Sequence, residues 1–136
     1  MLLLYIIKKL LSPIIKNEHS KKIYHLIHLK NGNLVSCSFD DRTMNLYQLL
    51  ENNKYKLLSQ VNVGQENNPQ RIVDLENGEI GLVANNHIFF YMNINNKFDE
   101  DFKIETKDIG SYYNMIPIKP GELVICVLTI KYNFLN

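Results

Sequence analysis

The chain has 136 residues, of which 46% are hydrophobic, 21% are charged and 10% are aromatic, and its formal net charge at pH 7 is +1. A chain of this length and composition can bury the core of one globular domain. A charge so near zero argues against a basic surface for nucleic acid or anionic membrane, and the two cysteines are too few, and lack the CxxC spacing, for a four-thiolate zinc site.

The chain begins with an apolar run of seven residues that Lys8 and Lys9 interrupt. A membrane-spanning helix needs about 20 apolar residues, and a signal peptide carries its positive charge before the apolar run rather than after it. We therefore predict no membrane partner and a cytoplasmic location. We place two strands in this region, at 2–6 and 9–16.

Four strands are predicted between residues 18 and 63, where short apolar runs alternate with turn residues. Asn31-Gly32 supplies the positive backbone angle of a tight hairpin turn, and Asp40-Asp41-Arg42 joins the next two runs. A helical period fails here and throughout the chain, because Pro, Gly or Asn pairs interrupt every window of about ten residues. The predicted strands are 22–29, 33–39, 43–49 and 55–61.

The same order of elements follows in the rest of the chain. Residues 64–108 contain four predicted strands, at 70–75, 79–84, 87–93 and 98–106. Residues 109–136 contain three, at 112–118, 122–128 and 130–135.

Two sequence markers repeat with a period of about 43 residues. Gly32, Gly78 and Gly121 each follow a turn residue, either Asn or Pro, and are 46 and then 43 residues apart. The second marker is a tyrosine that recurs every 41 to 44 residues, at Tyr5, Tyr47, Tyr91 and Tyr132. This period matches a four-stranded propeller blade.

The repeat predicts an all-β fold, namely a partial β-propeller of about three four-stranded antiparallel blades. Because no Gly/Ser or Pro linker divides the chain, residues 1–136 are predicted to form a single domain. Its predicted parts are the end of a leading blade, two whole blades and an incomplete blade, at 1–17, 18–63, 64–108 and 109–136.

Residues 19–47 resemble a WD40 repeat. Asn31-Gly32 is similar to the Asp-Gly turn of that family. Ser36-Cys37-Ser38 followed by Asp41-Arg42-Thr43 resembles its Ser-x-Ser and Asp-x-Thr, and Tyr47 stands in place of its Trp. The resemblance covers nearly the whole chain by period but only these residues by motif. It implies a non-catalytic scaffold of WD40-repeat type, without a cofactor, that binds a partner protein or peptide through loops at one propeller face.

The resemblance also implies an internal brace. In that family a His, a Ser or Thr, an Asp and the Trp form hydrogen bonds across the blade. The matching residues here are His19, Ser38, Asp41 and Tyr47. The second repeat has no His at the matching place and no Ser-x-Ser.

Loops that enter the first strand of a blade, or join its second and third strands, line the implied binding face. They are mixed in charge and rich in amides, which suits a protein or peptide partner. The chain has only two arginines, and both fall near this face; arginine is favoured at interfaces for its bidentate fork. The candidate partner-binding residues are Arg42, Arg71, Lys21, Asp41 and Asn86.

No catalytic, metal or cofactor site is predicted. His25 and His28 lie near His19 but point to opposite faces of a strand, and no ligand spacing accompanies them. Asp40-Asp41 is typical of a solvated turn, and the chain has no GxSxG or GxGxxG motif.

Two alternatives stay open beside the scaffold. The first is a propeller-fold hydrolase, which would need convergent acids or a His–acid pair at the strand ends near the central channel. The second is a truncated gene fragment without independent function, since two whole blades are too few to close a ring. In that case open edges would invite pairing with further blades or self-association.

Overall fold

The computed structural model describes residues 18–51, 54–65, 67–85, 87–105 and 111–128. The ten elements in these ranges are all β-strands, and they form three antiparallel sheets. The prediction of an all-β fold is therefore confirmed. Each of the ten strands begins and ends within one residue of its predicted bounds. The strands predicted at 2–6, 9–16 and 130–135 lie outside the described residues.

The first sheet contains four strands joined in chain order. At its first turn Gly32 has a φ of 90°, and the Asn31 side chain accepts a hydrogen bond from the Asn33 amide at 3.0 Å. The predicted Asn-Gly turn is therefore confirmed. The strands are β1 (Ile23–His28), β2 (Leu34–Ser38), β3 (Thr43–Leu49) and β4 (Tyr55–Asn62).

The second sheet repeats this arrangement, again with four strands in chain order. Gly78 has a φ of 93° at its first turn, and Asn77 accepts a hydrogen bond from the Glu79 amide at 3.0 Å. The same side-chain-to-backbone contact therefore closes the first turn of both sheets. The strands are β5 (Pro69–Asp74), β6 (Glu79–Ala84), β7 (His87–Ile94) and β8 (Lys97–Glu105).

A two-stranded hairpin follows, formed by β9 (Ser111–Lys119) and β10 (Glu122–Leu128). Gly121, with a φ of 77°, lies in its turn. Its amide donates a hydrogen bond to the Leu75 carbonyl at 2.9 Å, which ties the hairpin to the end of β5.

The three sheets stack face to face, and β7 shows how. Phe89 and Tyr91 belong to the apolar layer shared with the first sheet, whereas Ile88 and Phe90 belong to the layer shared with the hairpin. Successive side chains of a strand point to opposite faces, so the second sheet is buried on both sides. Each fully buried side chain of this size contributes about 1.5–3 kcal/mol.

The outer face of the hairpin is apolar and exposed. Ile116 and Val124, which are paired across the two strands, are 53% and 49% exposed. On the opposite face, Met115 is buried against the second sheet, with Ile125 packed beside it. Both faces of this hairpin are therefore apolar, but the described chain covers only one of them.

A β-bulge recurs near the start of the first strand in every sheet. In each case one residue of that strand has no partner in the register of the second strand. The extra residues are Tyr24, Gln70 and Tyr113. The fourth strands of the two larger sheets also share a bulge, at Leu58 and Asp101. Both large sheets thus have the same register, bulges included.

Side-chain contacts join the two larger sheets at both ends. We call the end with the β2–β3 and β6–β7 turns the upper end, and the end with the glycine turns the lower end. At the lower end, Lys30 Nζ lies 2.9 Å from Glu76 Oε2 in an exposed ion pair. At the upper end, Asn68 Nδ2 donates to the Phe39 carbonyl at 2.7 Å.

Candidate interaction surface

A buried histidine links the segment before β1 to the upper end of the first sheet. His19 is 3% exposed. Its Nε2 lies 2.6 Å from the Ser36 Oγ on β2. Its Nδ1 lies 3.2 Å from Asp41 Oδ2 and 3.0 Å from Thr43 Oγ1. The imidazole therefore connects β2 to the β2–β3 turn and the start of β3.

The hydrogen bonds continue across the sheet to β4. The Tyr47 hydroxyl accepts a hydrogen bond from Asn45 Nδ2 at 3.0 Å, and the nearby Ser36 hydroxyl acts to lower the pKa of Tyr47. Asn45 Oδ1 in turn accepts a hydrogen bond from Gln60 Nε2 at 2.9 Å. We call this set the polar spine, and it consists of His19, Ser36, Asp41, Thr43, Asn45, Tyr47 and Gln60.

The polar spine has one consistent donor order when His19 is neutral and carries its proton on Nδ1. Ser36 then donates to Nε2, and Nδ1–H donates to Asp41. The Tyr47 hydroxyl accepts a hydrogen bond from Asn45, a role that an indole N–H cannot fill because it only donates. Every one of these buried groups is thereby satisfied, which removes the penalty for burying them.

The protonation states that this order needs agree with the local electrostatics. Burial lowers the pKa of His19 below its ordinary value of 6.5, although the Asp41 carboxylate opposes the shift. Burial alone would raise the pKa of Asp41, but the hydrogen bond from Thr43 and the contact with His19 outweigh it and lower that pKa. Burial raises the pKa of Tyr47. At neutral pH the spine thus contains a neutral imidazole, a carboxylate and a neutral phenol.

The structure brings together three of the four residues predicted for the brace, namely His19, Asp41 and Tyr47. Ser36, rather than Ser38, lies between His19 and Tyr47. Ser38 is fully buried near Asp41 and helps to lower the pKa of that carboxyl, but its hydroxyl has no partner in hydrogen-bond geometry within the described chain. The two serines are two positions apart on β2 and share a face, so the sequence alone did not distinguish them.

Ser36, His19 and Asp41 also have the connectivity of a Ser-His-Asp hydrolase triad. However, Ser36 is 0% exposed, and its hydroxyl lies between the imidazole and the Tyr47 hydroxyl inside the sheet. A substrate carbonyl has no route to this oxygen. The geometry therefore favours a structural role for these three side chains.

The second sheet fills the equivalent interior with apolar rings. Leu82 and Phe89 occupy the register positions of Ser36 and Asn45. The Phe89 and Tyr91 ring centroids are 6.0 Å apart, and Tyr91 is 6.1 Å from Phe98. Aromatic pairs of this kind contribute about 0.5–1.5 kcal/mol beyond their buried area. Aromatic packing therefore stabilises the interior of the second sheet, where hydrogen bonds centred on His19 stabilise the first.

Side-chain amides line the upper end between the two sheets. Asn68 contacts the first sheet through the Phe39 carbonyl, and its Oδ1 accepts a hydrogen bond from Asn85 Nδ2 at 2.9 Å. Gln70 Nε2 then donates to Asn85 Oδ1 at 3.2 Å. These amides form a continuous polar surface from the β2–β3 turn to the β6–β7 turn.

The most exposed aromatic side chain of this surface was not among the predicted binding residues. Tyr24, the bulged residue of β1, is 58% exposed, and its ring lies 5.6 Å from that of Phe39. Gln70 is the bulged residue at the equivalent position of β5. Bulges turn a side chain away from the regular pleat, so the repeated bulge presents Tyr24 and Gln70 beside the amides.

The residues predicted to bind a partner fall into different settings. Asp41 is committed to the polar spine, and Arg42 has a φ of 59° in the turn, where its carbonyl accepts a hydrogen bond from the Val63 amide at 3.0 Å. Lys21 and Arg71 are exposed near the upper end. Asn86 lies outside the described residues.

No family model matches this chain, and no curated protein is similar to it. Among the residues that the structure describes, no group of three or more His, Cys, Asp or Glu side chains could hold a metal ion. The described part also contains no helix with the length and apolar character needed to cross a membrane.

Proposed function

We propose that the chain is a segment of a β-propeller of the WD-repeat kind and that it acts as a non-catalytic scaffold. The observation that carries this proposal is the hydrogen-bonded chain Asp41–His19–Ser36, with the Tyr47 hydroxyl beside Ser36. It corresponds to the Asp, His, Ser and Trp brace of WD repeats, with tyrosine in place of tryptophan.

The arrangement of the sheets supports a propeller. Two four-stranded meanders with the same register stack face to face, and the hairpin stacks on the second like the beginning of a third blade. The first strands β1 and β5 are neighbours, joined by a hydrogen bond between Ile72 and His25. First strands lie side by side when blades surround a central channel.

The proposed binding site is the upper end of the sheets around Tyr24 and Gln70. Tyrosine is favoured as an interface anchor because it buries a large ring and keeps a polar tip. Among the described residues at the upper end, Lys21, Lys22 and Arg71 are exposed basic residues, and Asp40 is an exposed acidic residue. We therefore assign the site to an extended, acidic segment of a partner protein.

A displayed library of acidic and neutral peptides tests this proposal. Peptides selected on the wild-type chain should be acidic and should bind Tyr24→Ala about tenfold or more weakly, as expected for an interface anchor. Ile94→Ala is the matched control, because Ile94 is 47% exposed but lies at the lower end. Equal binding to the wild type and to Tyr24→Ala would refute the assigned site.

The hydrolase alternative has a direct test at the triad-like side chains. A fluorophosphonate probe labels the activated serine of a triad. Because Ser36 is 0% exposed, we expect no adduct on the native protein by peptide mass spectrometry. An adduct at Ser36 that disappears in His19→Asn would favour the hydrolase and contradict the scaffold.

A further inference from the structure

One contact between the two larger sheets is made by a histidine on the edge of the first sheet. β1 and β5 are both edge strands, and edge strands have backbone groups that their own sheet does not satisfy. The Ile72 amide of β5 donates a hydrogen bond to His25 Nδ1 of β1 at 2.9 Å. Ile72 is 2% exposed, so the imidazole satisfies a buried donor that belongs to the neighbouring sheet.

We propose that this contact is a proton-sensitive joint, in which neutral His25 holds β5 and protonated His25 releases it. The joint uses the lone pair of Nδ1, and a ring nitrogen accepts a hydrogen bond only when it carries no proton. A proton taken from solvent onto Nδ1 would turn the acceptor into a donor that faces the Ile72 N–H. The proposal depends only on the packing of the two sheets, so it stands independently of the proposed function.

The groups that face His25 determine the direction of its response. The neighbour on β2 is Cys37, whose thiol stays neutral because burial raises its pKa to about 12. The neighbour on β5 is Arg71, which is always charged. Burial and then the Arg71 charge lower the pKa of His25 below its ordinary 6.5, and no carboxylate is among the groups that act on it within the described chain. Release is therefore expected as the pH falls below 6.5.

The other contacts between the two sheets do not respond over the same range. The hydrogen bond to Glu76 raises the pKa of Lys30, so this ammonium group stays charged. The contact between Asn68 and the Phe39 carbonyl does not titrate. The apolar layer between the sheets is also unaffected by protons. Acid should therefore open the His25 joint locally and leave the sheets stacked.

Amide hydrogen exchange at Ile72, followed by NMR on the full chain, measures this event. After correction for the intrinsic pH dependence of exchange, protection of the Ile72 amide should fall about tenfold or more between about pH 7.5 and about pH 5, as expected for loss of one buried hydrogen bond. In His25→Asn, the side-chain oxygen can occupy the position of Nδ1 and accept without titrating. Protection should then be the same at both pH values. His28→Asn, at an exposed position of the same strand, is the matched control and should respond like the wild type.

Three results would overturn the proposal. The first is protection of Ile72 that does not change with pH in the wild-type chain. The second is an unchanged pH response in His25→Asn. The third is parallel loss of protection at Leu46, a fully buried residue of the first sheet, because that would indicate global unfolding. If His25→Asn does not fold, the ring ¹⁵N shifts of wild-type His25 decide instead, since Nδ1 must be unprotonated in the neutral form.

Discussion

Removing one oxygen from the polar spine tests whether its hydrogen bonds stabilise the fold. In Tyr47→Phe the ring stays buried, but Asn45 Nδ2 loses the acceptor that lies 3.0 Å away. Ser36 keeps its hydrogen bond to His19. A buried donor without a partner costs about 1–3 kcal/mol, so the free energy of unfolding should fall by about 2 kcal/mol. Urea unfolding measures this loss, with the m-value unchanged.

Tyr91→Phe is the matched control for this prediction. Tyr91 occupies the equivalent position of β7 and is 2% exposed, and its ring packs against Phe89 and Phe98. The same oxygen is removed from an interior of aromatic rings, so a loss below about 1 kcal/mol is expected. If Tyr47→Phe costs no more than Tyr91→Phe, the reasoning about the polar spine is refuted.

Two further predictions concern protons and thiols. Burial lowers the pKa of both His19 and His25. The unfolded chain therefore binds more protons than the folded chain below pH 6.5. The urea midpoint should rise with pH up to about 6.5 and then level off. A midpoint that is flat or falls over this range would contradict the assignment of neutral imidazoles. Cys37 is 0% exposed and its pKa is raised to about 12. Peptide mass spectrometry should therefore find it unmodified by iodoacetamide in the native chain and alkylated in urea. Rapid alkylation of the native chain would mean that the first sheet opens.

The sequence predicted the strands well because turn chemistry marks their ends. Asn31-Gly32 and the turn before Gly78 each combine a side-chain acceptor with a glycine at positive φ. Such a turn defines the end of one strand and the start of the next within a few residues. The period of about 43 residues then predicted which strands belong to one sheet.

The features that the sequence did not predict depend on contacts between strands. The bulge at Tyr24 exists only relative to the register of β2, and no residue type marks it. The choice of Ser36 over Ser38 depends on where His19 enters the sheet. The role of His25 depends on the stacking of β5 beside β1. Each of these features depends on how two separate segments of the chain lie against each other.

The two large sheets show two chemical solutions for one backbone. The first sheet fills its interior with a hydrogen-bonded chain, whereas the second fills the same register positions with Leu82 and Phe89 beside Tyr91. Replacing Ser36 or Asn45 alone by an apolar residue would leave buried polar partners without a hydrogen bond. Replacing the whole set leaves no such group. Intermediates between the two interiors should therefore be less stable than either end point, although the two sheets have matching registers and bulges.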